Sequence, residues 1–190
     1  MHRLWQYSYG SEPGARPPVV WPKEASVSPH GSLPTLLMFV HPRCPCTRAS
    51  IEELARLMRF ARERLAVTVC VFSPTELQDG WERTELWASA QAIPGVAMYR
   101  DRDAREAQRF QAVKSGTVLL YSPAGRLLFS GGITNGRGHE GDSVGRATIL
   151  ALLEGRPAPE DPVPAFGCPI YQPRASATCD PDAAAAGGRP

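Results

Sequence analysis

The sequence is short of net charge, of long apolar runs and of an even complement of cysteines, and each shortage closes off a class of protein. Its 21 Lys and Arg residues nearly balance 19 Asp and Glu, leaving +2. So small an excess, with the arginines spread along the chain, argues against an electrostatic nucleic-acid footprint, and no nucleic-acid partner is expected. No apolar stretch approaches the roughly 20 residues that span a bilayer, and residues 1–10 lack the apolar centre of a secretory signal. On that reading the chain is expected to be soluble as written. The 131–145 stretch is rich in glycine but lacks the P-loop lysine and EF-hand spacing, which excludes phosphate and calcium loops of those kinds. No internal repeat is visible.

What is present is unevenly placed. Fourteen of the nineteen prolines crowd into 13–34 and 157–190, and those stretches also lack hydrophobic periodicity. The expected division is a Pro- and aromatic-rich arm over 1–32, one domain over 33–156, and a Pro/Ala-rich tail over 157–190 that is partly disordered, notably the low-complexity end 182–190. Within the domain, strand-like and helix-like segments alternate as in an α/β layer architecture. The apolar run 36–40 predicts a buried parallel strand, and 47–65 an amphipathic helix with Ile51, Leu54, Ala55, Met58, Ala61 and Leu65 on one face. A second buried strand follows at 67–72, a short helix at 82–91, a brief strand at 96–99, and a helix at 103–112 capped by Asp103. Ser122-Pro123-Ala124-Gly125 joins strands 117–121 and 126–130 as a hairpin, and a last helix covers 146–154.

Five cysteines (Cys44, Cys46, Cys70, Cys168, Cys179) are an odd number in a chain too large to need a disulfide scaffold, so one thiol is free or the set is redox active. The most informative stretch is His41-Pro42-Arg43-Cys44-Pro45-Cys46-Thr47-Arg48, where a buried strand meets the start of a helix. Orphan N–H groups and the positive dipole end at such a place lower a thiol pKa. Pro45 suits the first helical turn, and His41, Arg43 and Arg48 add positive potential. One residue between Cys44 and Cys46 makes a small, strained disulfide ring, which suits transfer chemistry better than stapling.

These residues resemble the thioredoxin-fold family, particularly its extracytoplasmic TlpA-like branch, over about 33–155. Within the branch the stretches HPRCPCTRAS, GGITNGRGHEGD and FGCPI are most similar to RedB-type proteins. The resemblance implies a thioredoxin-like fold, a central mixed sheet with parallel strands and a C-terminal antiparallel hairpin, flanked by helices. It also implies dithiol chemistry, with Cys44 as the exposed attacking cysteine and Cys46 as the resolving one, in the cell envelope or periplasm. RedB-like proteins carry an N-terminal membrane anchor ahead of a comparable segment, so an anchor is expected to be missing from this chain. Where the family has a cis-proline facing the cysteines, Ser115-Gly116 stands here. A trans peptide is expected there, because a non-proline cis bond costs about 3 kcal/mol.

Other residues leave alternatives open. The 131–145 loop should lie beside Cys44, and Asn135, Arg137, His139, Glu140 and Asp142 then offer a base or charge to the thiols; a solvated polar loop is the competing reading. His41 is either a neighbour of the cysteines or a strand-end residue. Cys70, mid-strand, reads as core. Cys168 lies in an apolar cluster with Val163, Phe166, Ile170 and Tyr171 that can dock back on the domain. It is then a third redox or metal thiol, a partner of Cys179, or an inert thiol. Trp81 and Trp87 read as packing residues, while Trp5, Tyr7, Tyr9 and Trp21 suit either a membrane interface or an edge of the domain.

Three functions follow. The first is a thiol-disulfide oxidoreductase acting on an unidentified protein thiol or disulfide, without a cofactor. The second is a Cu(I)-binding or delivery protein using Cys44 and Cys46 with His139, His41 or Cys168 as a further ligand, since soft thiolates favour Cu(I). The third is a non-catalytic thioredoxin-like interaction module.

Overall fold

The computed structural model of the chain describes residues 16–157 and 163–171. Five strands form one sheet in the order β3-β2-β1-β4-β5. They are β1 (Thr35–Val40), β2 (Ala66–Ser73), β3 (Val96–Arg102), β4 (Thr117–Tyr121) and β5 (Leu127–Gly131). β1 pairs parallel with β2, which pairs parallel with β3, while β4 runs antiparallel to both β1 and β5. The expected mixed sheet with a C-terminal hairpin is therefore present.

β1 is buried along its whole length, as an apolar run without alternation requires. Its side chains divide between two cores. Leu36, Met38 and Val40 face helices α1 (Thr47–Ala61), α2 (Glu85–Gln91) and α4 (Val144–Leu153), whereas Leu37 and Phe39 join Cys70, Phe110, Leu119 and Tyr121 on the other face beside α3 (Arg105–Arg109). Cys70 is buried there, and burial pushes its thiol well up, as a core cysteine should behave.

Four boundaries differ from expectation, each for a local reason. α1 stops at Ala61 instead of Leu65, with Arg64 N–H turning back to the Ala61 carbonyl at 2.8 Å. α2 starts at Glu85, because Glu82 is drawn into the protein to pair with Arg100 at 2.7 Å and to accept from the Ser73 hydroxyl at 3.2 Å. β3 runs on through Arg100-Asp101-Arg102, charged residues that an outermost strand can carry. α3 is only five residues long. Asp103 does not cap it; it sits at φ 54° with Ala104 at φ 56°, and its carboxylate accepts from Thr75 N–H at 2.8 Å. Asp101 performs that office instead, accepting from the N–H groups of Glu106 and Ala107 at 2.8 and 2.9 Å.

Described parts of both arms pack on the domain. Trp21 lies edge-on to Phe110 and Tyr121 at 5.2 and 5.0 Å, and the Tyr121 hydroxyl donates to the Pro18 carbonyl at 2.9 Å. That assigns Trp21 to an edge of the domain; Trp5, Tyr7, Tyr9, Cys179 and the end 182–190 lie outside the described residues. At the other end, residues 163–171 return across the cysteines.

Candidate functional site

The turn between β1 and α1 places Cys44 and Cys46. Cys44 N–H donates to the His41 carbonyl at 3.1 Å, and Thr47 N–H to the Cys44 carbonyl at 3.0 Å. Cys46 is the N-cap of α1, so Pro45 precedes the cap and lies just outside the helix. Both thiols therefore stand at the positive end of a 15-residue helix.

Burial by itself would raise the Cys44 thiol. Against it act the Thr47 hydroxyl, the backbone N–H and thiol of Cys168 and the backbone N–H of Cys46, all hydrogen bonded to the sulfur, and together they hold its pKa below the ordinary thiol value. Thr47 Oγ1 lies 2.7 Å from Ser115 Oγ, which accepts from His41 N–H at 2.8 Å. Each hydroxyl has one proton to give. With Thr47 donating to the sulfur, the Ser115 hydroxyl donates to Thr47, and His41 N–H closes the relay behind it.

Ser115 is fully buried, and no cis peptide bond occurs among the described residues, so its backbone is trans. Gly116 has φ 87° and donates to the Phe39 carbonyl at 2.8 Å; a Cβ there would stand 2.9 Å from Ser50 Oγ. The backbone of this segment is also taken. Ser115 N–H donates to the Cys168 carbonyl at 2.8 Å, Ile170 N–H to the Val113 carbonyl at 2.7 Å, and Cys168 N–H to Cys44 Sγ at 3.3 Å. Residues 163–171 thus cover the attacking position. Cys44 is 1% exposed, which corrects the expectation of an exposed thiol, and the half-buried Cys46 is the more open of the two. The Cys168 thiol is pushed up to about 11 by burial, then by the hydrogen bond to Cys44 and by the charges of Cys44 and Cys46. The hydrogen bond between the two thiols acts on both, lowering the pKa of Cys44 and raising that of Cys168.

The remaining candidates divide. Arg137 comes to the pair, its Nη1 donating to Cys46 Sγ at 3.9 Å. His139 is exposed, and its ring makes no hydrogen bond to either thiol. Asn135 serves the loop itself, bonding the Asp142 carbonyl and accepting from Val144 N–H. Glu140 lies 3.5 Å from Arg56. His41 packs its ring against Phe72 and Trp81 at 5.4 and 5.7 Å, with Nδ1 accepting from Arg43 N–H; burial, then the Arg43 charge, lowers its pKa. The Arg43 guanidinium lies 4.8 Å from the centre of the Trp81 ring, and Arg48 faces Glu85 at 3.5 Å. A groove of about 360 Å³ lined by Arg43, Cys44, Pro45, Arg48, Thr84 and Glu85 reaches Cys44 from the α2 side.

Among the described residues no group of three or more His, Cys, Asp and Glu side chains is arranged to hold a metal ion. The four side chains Cys44, Cys46, His139 and Cys168 do not form such a group. Sequence reasoning missed Glu53, fully buried in α1, which holds Arg56, Arg146 and, at 2.8 Å, Gly141 N–H. Its spacing from Arg56 reads as an ordinary surface pair, so no local signal marked it.

No family model matches the chain, and no curated protein matches it. Solved structures do. An uncharacterized conserved protein from Geobacillus kaustophilus superposes with a TM-score of 0.63 at 20% identity, covering 85% of this chain and 92% of that one. A hypothetical protein from Sinorhizobium meliloti 1021 gives 0.60 at 25% identity, covering 76% and 82%. A thioredoxin-like protein solved in its oxidized form gives 0.51 at 13% identity, covering 76% and 99%. The chain has a thioredoxin-like α/β fold, with a Cys-Pro-Cys pair where its first parallel strand meets its first helix.

Proposed function

We propose that the protein is a thiol-disulfide oxidoreductase in which Cys44 attacks and Cys46 resolves. The observation that carries this reading is the Cys44 sulfur, which collects donors from Thr47, Cys46 and Cys168 at a helix N-terminus and so favours its thiolate. The Cys44 thiolate attacks one sulfur of a partner protein disulfide, forming a mixed disulfide, and the partner's other sulfur leaves as a thiolate that takes a proton. Cys46 then attacks Cys44 Sγ, forming the Cys44–Cys46 disulfide and freeing the second partner thiol. Two electrons pass from the protein to its partner, and the reverse sequence makes it an oxidant.

The motif stretches support a place in the RedB-type, TlpA-like branch and hence residence in the cell envelope; among the described residues no helix is long and apolar enough to cross a membrane. Insulin reduction and equilibration with glutathione test the activity. Wild type should cycle between two forms and Cys44→Ser should not. A wild-type protein whose cysteines never cycle overturns the reading.

A further inference from the structure

We propose that Cys168 is a third redox-active cysteine, which takes the disulfide over from the Cys44 and Cys46 pair and holds the oxidised protein as a Cys44–Cys168 link. The inference rests on the dithiol reading above and adds to it a residue 124 positions downstream.

The approach of Cys168 to Cys44 is built rather than incidental. Its N–H meets Cys44 Sγ at 3.3 Å while its carbonyl is held by Ser115 N–H at 2.8 Å, so the residue is gripped on both sides. Pro169 pairs antiparallel with Lys114, and Phe166 and Ile170, each 7% exposed, anchor the flanks. The seat also depends on missing side chains. A Cβ on Gly167 would collide with the Ser115 carbonyl, and one on Gly132 would stand 2.6 Å from the Pro164 carbonyl. Backbone can run this close only past glycine. Cys70, equally a free thiol, is sealed in the core and has no such approach.

The transfer balances without a further reagent. A partner protein disulfide has already supplied the oxidising equivalents and left as two thiols. Cys168 then attacks Cys44 Sγ; the Cys44–Cys46 bond breaks, the Cys44–Cys168 bond forms, and Cys46 leaves as a thiolate beside the Arg137 guanidinium. The Cys168 proton passes to Cys46, and no net electrons move. Strain in a ring with one residue between its cysteines drives the exchange forward. Oxidation of Cys44 also removes the thiolate that helps keep Cys168 protonated, so the nucleophile is released when it is needed.

Mapping the oxidised full chain tests this. The protein is equilibrated with oxidised glutathione, its remaining thiols are blocked with N-ethylmaleimide in denaturant, and it is digested with trypsin. Cleavage after Arg43 and Arg48 isolates Cys44 and Cys46 together, and cleavage after Arg174 parts Cys168 from Cys179. The expected product joins the first peptide to the Cys168 peptide, in about tenfold excess over the Cys44–Cys46 ring. Cys46→Ser should still form it, and Cys44→Ser should not. Gly167→Ala, which keeps all thiols, should lower the yield severalfold while Cys44 stays reactive to iodoacetamide. A Cys44–Cys46 ring with Cys168 fully alkylated, or a Cys168–Cys179 link, overturns the inference and leaves the dithiol reading standing. No disulfide at Cys44 in any form overturns both.

Discussion

Cys44 shows at the scale of one residue how hydrogen-bond donors act against burial. Its donors outweigh the cost of burial, so the pKa falls in a place where apolar surroundings alone would raise it. The sign of the pH dependence follows. Alkylation of Cys44 by iodoacetamide should persist below the ordinary thiol range and fail only as pH drops through the lowered folded value. Thr47→Val should move that fall to higher pH, and an unchanged profile would separate the hydroxyl from the thiolate. Ser115→Ala should shift the profile the same way, because Thr47 loses the donor behind it. It should also cost about 1–3 kcal/mol in urea unfolding, since His41 N–H loses its acceptor. The cysteine pair was legible in the sequence, because a strand end and a helix start are local patterns. The Ser115 relay was not: it joins residues 68 and 74 positions apart.

Helices and loops meet at Glu53. From the inner face of α1 its carboxylate reaches Arg146 at the start of α4 and Gly141 N–H in the loop that carries Arg137. Glu53→Ala should cost about 2–4 kcal/mol by urea denaturation, below the worst case for a broken buried pair because Arg56 and Arg146 keep some contact with water. The same variant should lower Cys46 reactivity more than Cys70 reactivity, since the loop loses its tether; equal effects would mean a general loosening. Elements whose signal is periodicity, such as β1, β2 and the hairpin, were readable within a residue or two. α3 was not, because Asp103 and Ala104 adopt left-handed φ, a conformation that composition hides.

Over the whole molecule, two chain segments remote in sequence cover one sheet. Trp21 from the N-terminal side and residues 163–171 from the C-terminal side pack against the face opposite α1 and the cysteine turn, respectively. Trp21→Ala should cost about 2–4 kcal/mol, less than a fully enclosed tryptophan because this one is only partly buried. Equilibrium unfolding by tryptophan fluorescence and by circular dichroism should lose the same amount. The sequence offered both contacts as one reading among others, an edge of the domain for Trp21 and a docked apolar cluster around Cys168; the proline-rich composition left the choice open, since the packing depends on long-range contacts and not on local preference.

The outermost strand has one more effect. Among the described residues β3 ends the sheet on one side, and Arg100 and Arg102 stand at its far end facing Asp79. Mixed charges there discourage another molecule from adding its own strand, so crowded copies should stay colloidally dispersed. Replacing Arg102 with valine should bring turbidity at concentrations that wild type tolerates, with the Arg100–Glu82 pair and the cysteines untouched.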